Sequence, residues 1–216
     1  MNTYFEKWIS GYVRLRYPEL EPALRAASDA DDAIRSKKCP TADLLEPIIT
    51  AASSQRRPLS ETGTTLLGRL AVCYPEACAA VGRMAQSKSS HVRFNAVLCL
   101  RAGVPRDVAI EILKGALRDR SSQVRKKAAD QALALRYAEM TENLEEAAAE
   151  ESDARVKETL LFSTGLLRAG YLVEPRGSDS VLVTALTRDS VRSRLVPNSQ
   201  IHAGGLAAVV SELQRK

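Results

Sequence analysis

Residues 119–128 read Asp-Arg-Ser-Ser-Gln-Val-Arg-Lys-Lys-Ala, and the same frame stands 32 residues to either side: Ser-Lys-Ser-Ser-His-Val-Arg-Phe-Asn-Ala over 87–96 and Glu-Ser-Asp-Ala-Arg-Val-Lys-Glu-Thr-Leu over 151–160. In each copy a valine precedes a cation (Val92-Arg93, Val124-Arg125, Val156-Lys157), and an apolar residue follows four positions after the valine (Ala96, Ala128, Leu160). Six positions before the cation stand Ser87, Asp119 and Glu151, so two of the three copies couple an acid with the Arg or Lys. Self-similarity at a fixed period of this length marks a chain of stacked supersecondary units, each too small to bury its own apolar face.

The residues ahead of each copy say what the unit is. Pro75 to Ala85 carries Ala77, Val81 and Met84; Asp107 to Leu117 carries Val108, Ile112, Leu113 and Ala116; Thr141 to Ala149 carries Leu144 and Ala148. These are the three- and four-residue intervals of a helix with one buried stripe. Each unit is therefore predicted to be two short antiparallel helices. Gly103-Val104-Pro105 separates one unit from the next, and Ser121-Ser122 and Glu151-Ser152-Asp153 offer side-chain oxygens to cap second helices.

On these residues the chain resembles the HEAT-repeat family, in its short HEAT-like bacterial variants, over about residues 74–170. It departs from the family in its period of 32, in Ser87 where an acid is usual, and in Thr164 where a small apolar residue is preferred. The resemblance implies an all-α fold, a right-handed α-solenoid of short HEAT-like helical hairpins. It also implies that the cation of each copy joins an acid of its own or the next repeat in a structural ladder. Asp119 with Arg125, Glu151 with Lys157, and Arg93 are the residues that match.

Outside the three copies the pattern fades but stays helical. Ala42 to Ala52 and Ser60 to Cys73 read as a degenerate earlier pair split by Gln55-Arg56-Arg57-Pro58, and Thr3 to Arg16 with Pro18 to Ala27 as a capping pair. Asp179 to Thr187 fits a further first helix, which is favoured, or a strand, because Val181, Val183 and Ala185 alternate. Pro197 then breaks the chain before Gly204-Gly205 and a last helical segment, Leu206 to Gln214. The expected organisation is an N-terminal helical cap over 1–40, about four helix pairs over 41–170, and a C-terminal capping segment of mixed character over 171–216.

Composition agrees with a helical globular protein. Of 216 residues, 45% are hydrophobic, with Ala and Leu dominant, and only 5% are aromatic, which favours helix over strand. No run approaches the roughly 18 apolar residues of a membrane helix. The N-terminus sets Glu6 and Lys7 inside its apolar part, unlike a signal peptide. A cytoplasmic protein without membrane association is expected. Cys39, Cys73, Cys78 and Cys99 include no C-x-x-C pair and read as reduced, mostly buried residues.

Catalysis needs convergent titratable groups, and the chain has two histidines, His91 and His202. His91 opens a repeat helix, where a solvated role is expected. Glu145-Glu146 and Glu150-Glu151 lie in an Ala-rich polar helix and turn, which reads as a solvated face. No dinucleotide, P-loop, zinc-protease or nucleophile-elbow motif is present. Neither catalytic residues nor a cofactor or metal site is expected, and the chain is read as no enzyme.

Binding is expected where packing does not dictate the residue. The two positions after each ladder cation, Phe94-Asn95, Lys126-Lys127 and Glu158-Thr159, share no chemistry, and in a stack they would line up along the concave groove. Residues 83–127 hold eleven Lys/Arg against three acids, net +8, and residues 128–160 hold three against nine, net −6. A two-signed field suits a protein partner, whose orientation it sets, whereas a nucleic acid asks for one continuous positive face. The leading expectation is a non-enzymatic HEAT-like protein–protein interaction module, a scaffold or adaptor holding a partner in its groove; an immunity or antitoxin-like protein is one such form. The alternative is nucleic-acid backbone binding through 83–127, similar to HEAT-like bacterial DNA glycosylases. Those enzymes use Trp, Asp and Arg in the groove, whereas the lone tryptophan here, Trp8, lies in the N-terminal cap. Short HEAT-like repeats are also similar to phycobilin lyase subunits, a chemistry for which the sequence shows no motif.

Overall fold

A computed structural model describes residues 42–215 and, before them, Pro18, Glu21, Pro22, Arg25, Ala26, Ser28, Asp29, Asp32 and Ser36. Apart from these few positions, the expected capping pair over 3–27, with Trp8, and also Cys39 lie outside the described residues. The chain divides into two compact units, residues 1–127 and 128–216.

The first unit contains α1 (Ala42–Ser53), α2 (Arg57–Cys73), α3 (Pro75–Ala85), α4 (Ser90–Cys99), α5 (Arg106–Leu117) and the opening turns of α6 (Ser122–Ala134). Proline stands in the first turn of α2 and α3, where a missing N–H costs no hydrogen bond. That is why Arg57-Pro58 starts a helix instead of lengthening the gap, so that α2 begins three residues before the expected Ser60. Glu76 and Asp107 occupy the first turns of α3 and α5, the sign that the helix dipole favours. Gly103, with φ of 95°, makes the left-handed bend between α4 and α5.

Helices pack in sequence: α1 on α2, α3 on α4, second helix α2 on second helix α4, and first helix α3 on first helix α5. The periodic apolar positions form the shared core. Ile48 and Ala52 of α1, Leu67 and Leu70 of α2, Ala77 and Val81 of α3, Ala96 and Val97 of α4, and Ala109 and Leu113 of α5 are all buried. The hairpin α1–α2 is close enough that Gly63 meets the α1 backbone directly at Ala51 and Ala52.

The second unit holds the rest of α6, a 3-10 turn (Ala138–Met140), α7 (Thr141–Glu150), α8 (Ala154–Ala169), β1 (Tyr171–Arg176), β2 (Ser180–Leu186), β3 (Val191–Pro197) and α9 (Leu206–Arg215). α7 packs on α8 as a further hairpin. Asp153 caps α8, its Oδ1 accepting from the amides of Arg155 (3.0 Å) and Val156 (3.3 Å). α8 ends on Gly170 in the left-handed region (φ 76°), whose N–H donates to Leu166 O at 2.9 Å.

The helix favoured over Asp179–Thr187 is corrected to a strand. β2 is the central strand of an antiparallel meander, β1-β2-β3, with Val173, Val183 and Arg194 in register, and likewise Pro175, Val181 and Val196. Val183 and Val196 form a small core with Val209 of α9, around which Val181, Ile201, Leu206, Val210 and Leu213 pack. Val181, Val183 and Thr184 are β-branched and stiff at χ1, and period two sends Val181 and Val183 to the face that α9 covers. Gly177 (φ 73°) serves the tight β1–β2 turn, and Gly204 (φ 79°) bends the chain into α9.

Candidate interaction site

The repeats of the first unit are joined at the turns inside their hairpins, residues 54–56, 86–89 and 118–121. Arg93, on the first turn of α4, is 8% exposed. Its Nε donates to Asp119 Oδ2 at 2.5 Å and its Nη2 to Asp119 Oδ1 at 2.8 Å, a bidentate pair. Its Nη1 donates to the carbonyls of Ser87 (2.8 Å) and Lys88 (3.0 Å), and Asp119 Oδ1 also accepts from the Ser121 amide at 2.8 Å. Arg120 Nη2 crosses the same seam to Lys88 O at 2.7 Å.

Of the two pairings expected, with an acid of the same or of the next repeat, the geometry has the next-repeat form, and the pairing of the Asp119 carboxylate with Arg125 is corrected. The carboxylate is taken by Arg93 of the preceding repeat, while Arg125 Nη1 donates to the Asp119 backbone carbonyl at 2.8 Å. The turn conformation decides this, because the Ser121 amide orients the carboxylate toward Arg93. In the second unit Glu151 Oε1 accepts from the Asp153 amide at 2.9 Å, and Lys157 is exposed. Burial alone would raise the Asp119 carboxyl. The Arg93 hydrogen bonds, the Ser121 amide and the charges of Arg93 and Arg120 outweigh burial and hold it below its ordinary value.

Two residues serve packing where the sequence suggested solvent or partner. His91 Nε2 lies 2.6 Å from Ser54 O, a carbonyl that only accepts, and 3.1 Å from Asn95 Nδ2. Asn95, placed by its sequence position in the binding row, is 2% exposed, and its Nδ2 donates to Ala52 O at 2.8 Å. The two side chains satisfy carbonyls at the C-terminal end of α1, which has no helical partners left to bond them. Asn95→Ala leaves the Ala52 carbonyl buried without this donor and is expected to cost about 1–3 kcal/mol in thermal or urea unfolding. An unchanged melting temperature would return Asn95 to the candidate surface.

What remains of the row in the first unit is Phe94, half-buried, Lys126, exposed, and Lys127, half-buried. Glu158, exposed, and Thr159, whose Oγ1 donates to Arg155 O at 3.0 Å, lie on α8 of the second unit. Thiol chemistry finds no support in the buried cysteines: burial pushes the Cys99 thiol up to about 12, and burial with the nearby Asp107 charge raises Cys78. Both stay protonated at neutral pH and are poor nucleophiles. Among the described residues no group of three His, Cys, Asp or Glu could hold a metal ion, and no helix is long and apolar enough to cross a membrane.

No curated protein matches this chain. Among solved structures, the crystal structure of an engineered protein from a structural genomics consortium is similar at 18% identity, covering 76% of this chain and 78% of its own, with a TM-score of 0.38. The family model for HEAT repeats matches residues 45–134. The match takes in the degenerate pair α1–α2 and ends before the third copy at 151–160, so it begins and stops earlier than the 74–170 read from the residues. The helix pairs that the HEAT-repeat model matches are those tied turn to turn by Arg93 and Asp119.

Proposed function

We propose that this chain is a non-enzymatic protein–protein interaction module, a cytoplasmic adaptor or an immunity-like protein, and that its partner lies across the second-helix face of the first unit. HEAT repeats generally mediate protein–protein interaction and are typically scaffolds without catalytic activity. One observation carries the choice of face. In the first unit the cations after the valines, Arg93 and Arg125, are consumed by the seam between turns, whereas the next positions, half-buried Phe94 and exposed Lys126, lie outside it. Phe94 is of a residue class enriched at interface cores, and Lys126 and Lys127 suit the polar rim around one. The net +8 of residues 83–127 favours nucleic-acid backbone binding as the second reading.

Purification of the tagged full chain from its native cells, with and without nuclease, separates the two. A stoichiometric protein that survives nuclease supports the module. Nucleic acid in the untreated sample, with no protein left after digestion, overturns it. Lys126→Glu/Lys127→Glu is expected to keep stability within about 0.5 kcal/mol, since neither side chain is part of the core. It should weaken the captured partner at least about tenfold. Unchanged affinity would remove these residues from the interface.

A further inference from the structure

The hairpin turns of the first unit form an edge with an unusual electrostatic composition. At the C-terminal end of a helix the last carbonyls are without helical partners and present negative potential. Here Ala52 O in the last turn of α1 is bonded by Asn95, and the turn carbonyls that follow the helix ends are bonded by side chains too: Ser54 O by His91, Ser87 O and Lys88 O by Arg93, Lys88 O again by Arg120, and Asp119 O by Arg125. The acids of this edge are also engaged, Asp119 by Arg93 and Glu61 by Arg57 at 2.7 Å. Glu76 and Asp107 stand at the opposite end, in the first turns of α3 and α5.

What the edge presents outward is therefore positive. Lys88 and Arg120 are exposed on adjacent turns that Arg120 itself joins, with exposed Arg56 and Arg118 on the flanking positions. The N-termini of α4 and α6 open at the same edge, and Ser89, the N-cap residue of α4, makes no side-chain cap bond. The turns that carry these cations are pinned by hydrogen bonds between side chains and backbone, so the backbone of the edge need not be ordered when an anionic chain is laid along it.

We infer that this turn edge, centred on Lys88 and Arg120, is a docking surface for an acidic peptide segment, a run of Asp and Glu, in the protein partner. The inference rests on the reading of the chain as a protein-interaction module but uses a surface separate from Phe94, Lys126 and Lys127. A peptide fits better than a nucleic acid. The first unit also carries Glu76 and Asp107 at its other end, so the positive potential is a short local strip instead of the continuous face that a phosphate backbone follows.

The test is fluorescence anisotropy of the full chain with a labelled oligoglutamate peptide and, separately, a labelled DNA duplex, at low and physiological salt. The peptide is expected to bind, to weaken as salt rises, and to lose about fivefold in affinity with Lys88→Glu and more with Lys88→Glu/Arg120→Glu. Lys88→Arg and Glu76→Lys are expected to retain binding. Lys88 enters the seam through its backbone carbonyl, so K88E should melt as the parent chain does, and that melt is measured alongside. An unbound peptide, or one indifferent to K88E, overturns the edge. If a partner captured from cells still depends on Lys126 and Lys127 in that case, the module itself stands. A duplex that binds more tightly than the peptide through Lys88 overturns both.

Discussion

Asp119→Asn is expected to destabilise the first unit by about 3–5 kcal/mol, because it leaves the Arg93 guanidinium buried with its partner's charge removed. For a chain of this size that corresponds to a fall of roughly 10 °C in melting temperature. The pair is not a surface ion pair worth a fraction of a kcal/mol: the side chains are 10% and 8% exposed, and both are saturated with hydrogen bonds. Replacing both residues, as Arg93→Met/Asp119→Leu, should recover much of the loss, since no charge is then stranded. Recovery should stop short of the parent by about 1–2 kcal/mol, because the Ser87 and Lys88 carbonyls lose the donors that Arg93 supplied. A loss under 1 kcal/mol for Asp119→Asn, measured by urea unfolding, would show that the seam does not hold the repeats together.

The same pair sets a pH signature. The Asp119 carboxyl is held below its ordinary value of 3.8 in the folded chain. The folded state therefore binds the proton less readily than the unfolded state. The pair's contribution is fully present above that ordinary value and is lost as pH falls through the lowered one. The stability gap between the parent and Asp119→Asn is thus expected to be constant from neutral pH to about 5 and to close in more acid solution.

Gly63→Ala is expected to cost about 3 kcal/mol, against the sign of helix propensity, by which alanine gains about 1 kcal/mol over glycine. A Cβ at Gly63 would stand 2.6 Å from the Ala51 carbonyl carbon and 2.7 Å from Ala52 Cα, and closer still to the Ala52 nitrogen. Backbone atoms cannot rotate away as a side chain does, so α1 must shift off α2. Gly82 in α3 is the matched control, since a Cβ there meets nothing within 4 Å. Gly82→Ala should stabilise by roughly 0.5–1 kcal/mol through helix propensity alone. If both alanines stabilise, the α1–α2 approach is looser than described.

The helix pairs were legible in the sequence because their signals are local. Leu44, Leu45, Ile48 and Ala52, or Ala77, Val81 and Met84, repeat at helical intervals within a dozen residues, and Pro58, Pro75 and Pro105 mark starts that depend only on backbone chemistry. The 32-residue echo located the turns. The strand over Ser180–Leu186 is not legible locally because a seven-residue segment with five apolar residues fits both periods, and the choice falls to α9, whose Val209 packs on Val183 and Val196.

Site roles divided in the same way. That Arg93, Arg125 and Asp119 belong to a structural ladder is what the resemblance to HEAT repeats implied, and a spacing of 32 between Lys88 and Arg120 was there to suggest adjacent turns. Which oxygen each cation meets did not follow. Arg93 reaches 26 residues forward to a carboxylate, Asn95 reaches 43 back to the Ala52 carbonyl, and His91 reaches 37 back to Ser54. Amino-acid order alone specified the repeat, its period and its buried stripes, since helix periodicity and turn chemistry act over a few residues. Only the packed turns decided that Arg93 holds Asp119, that Asn95 lies inside, and that a strip of cations is left facing outward, since hydrogen bonds between distant backbone groups exist only once the helices are in place.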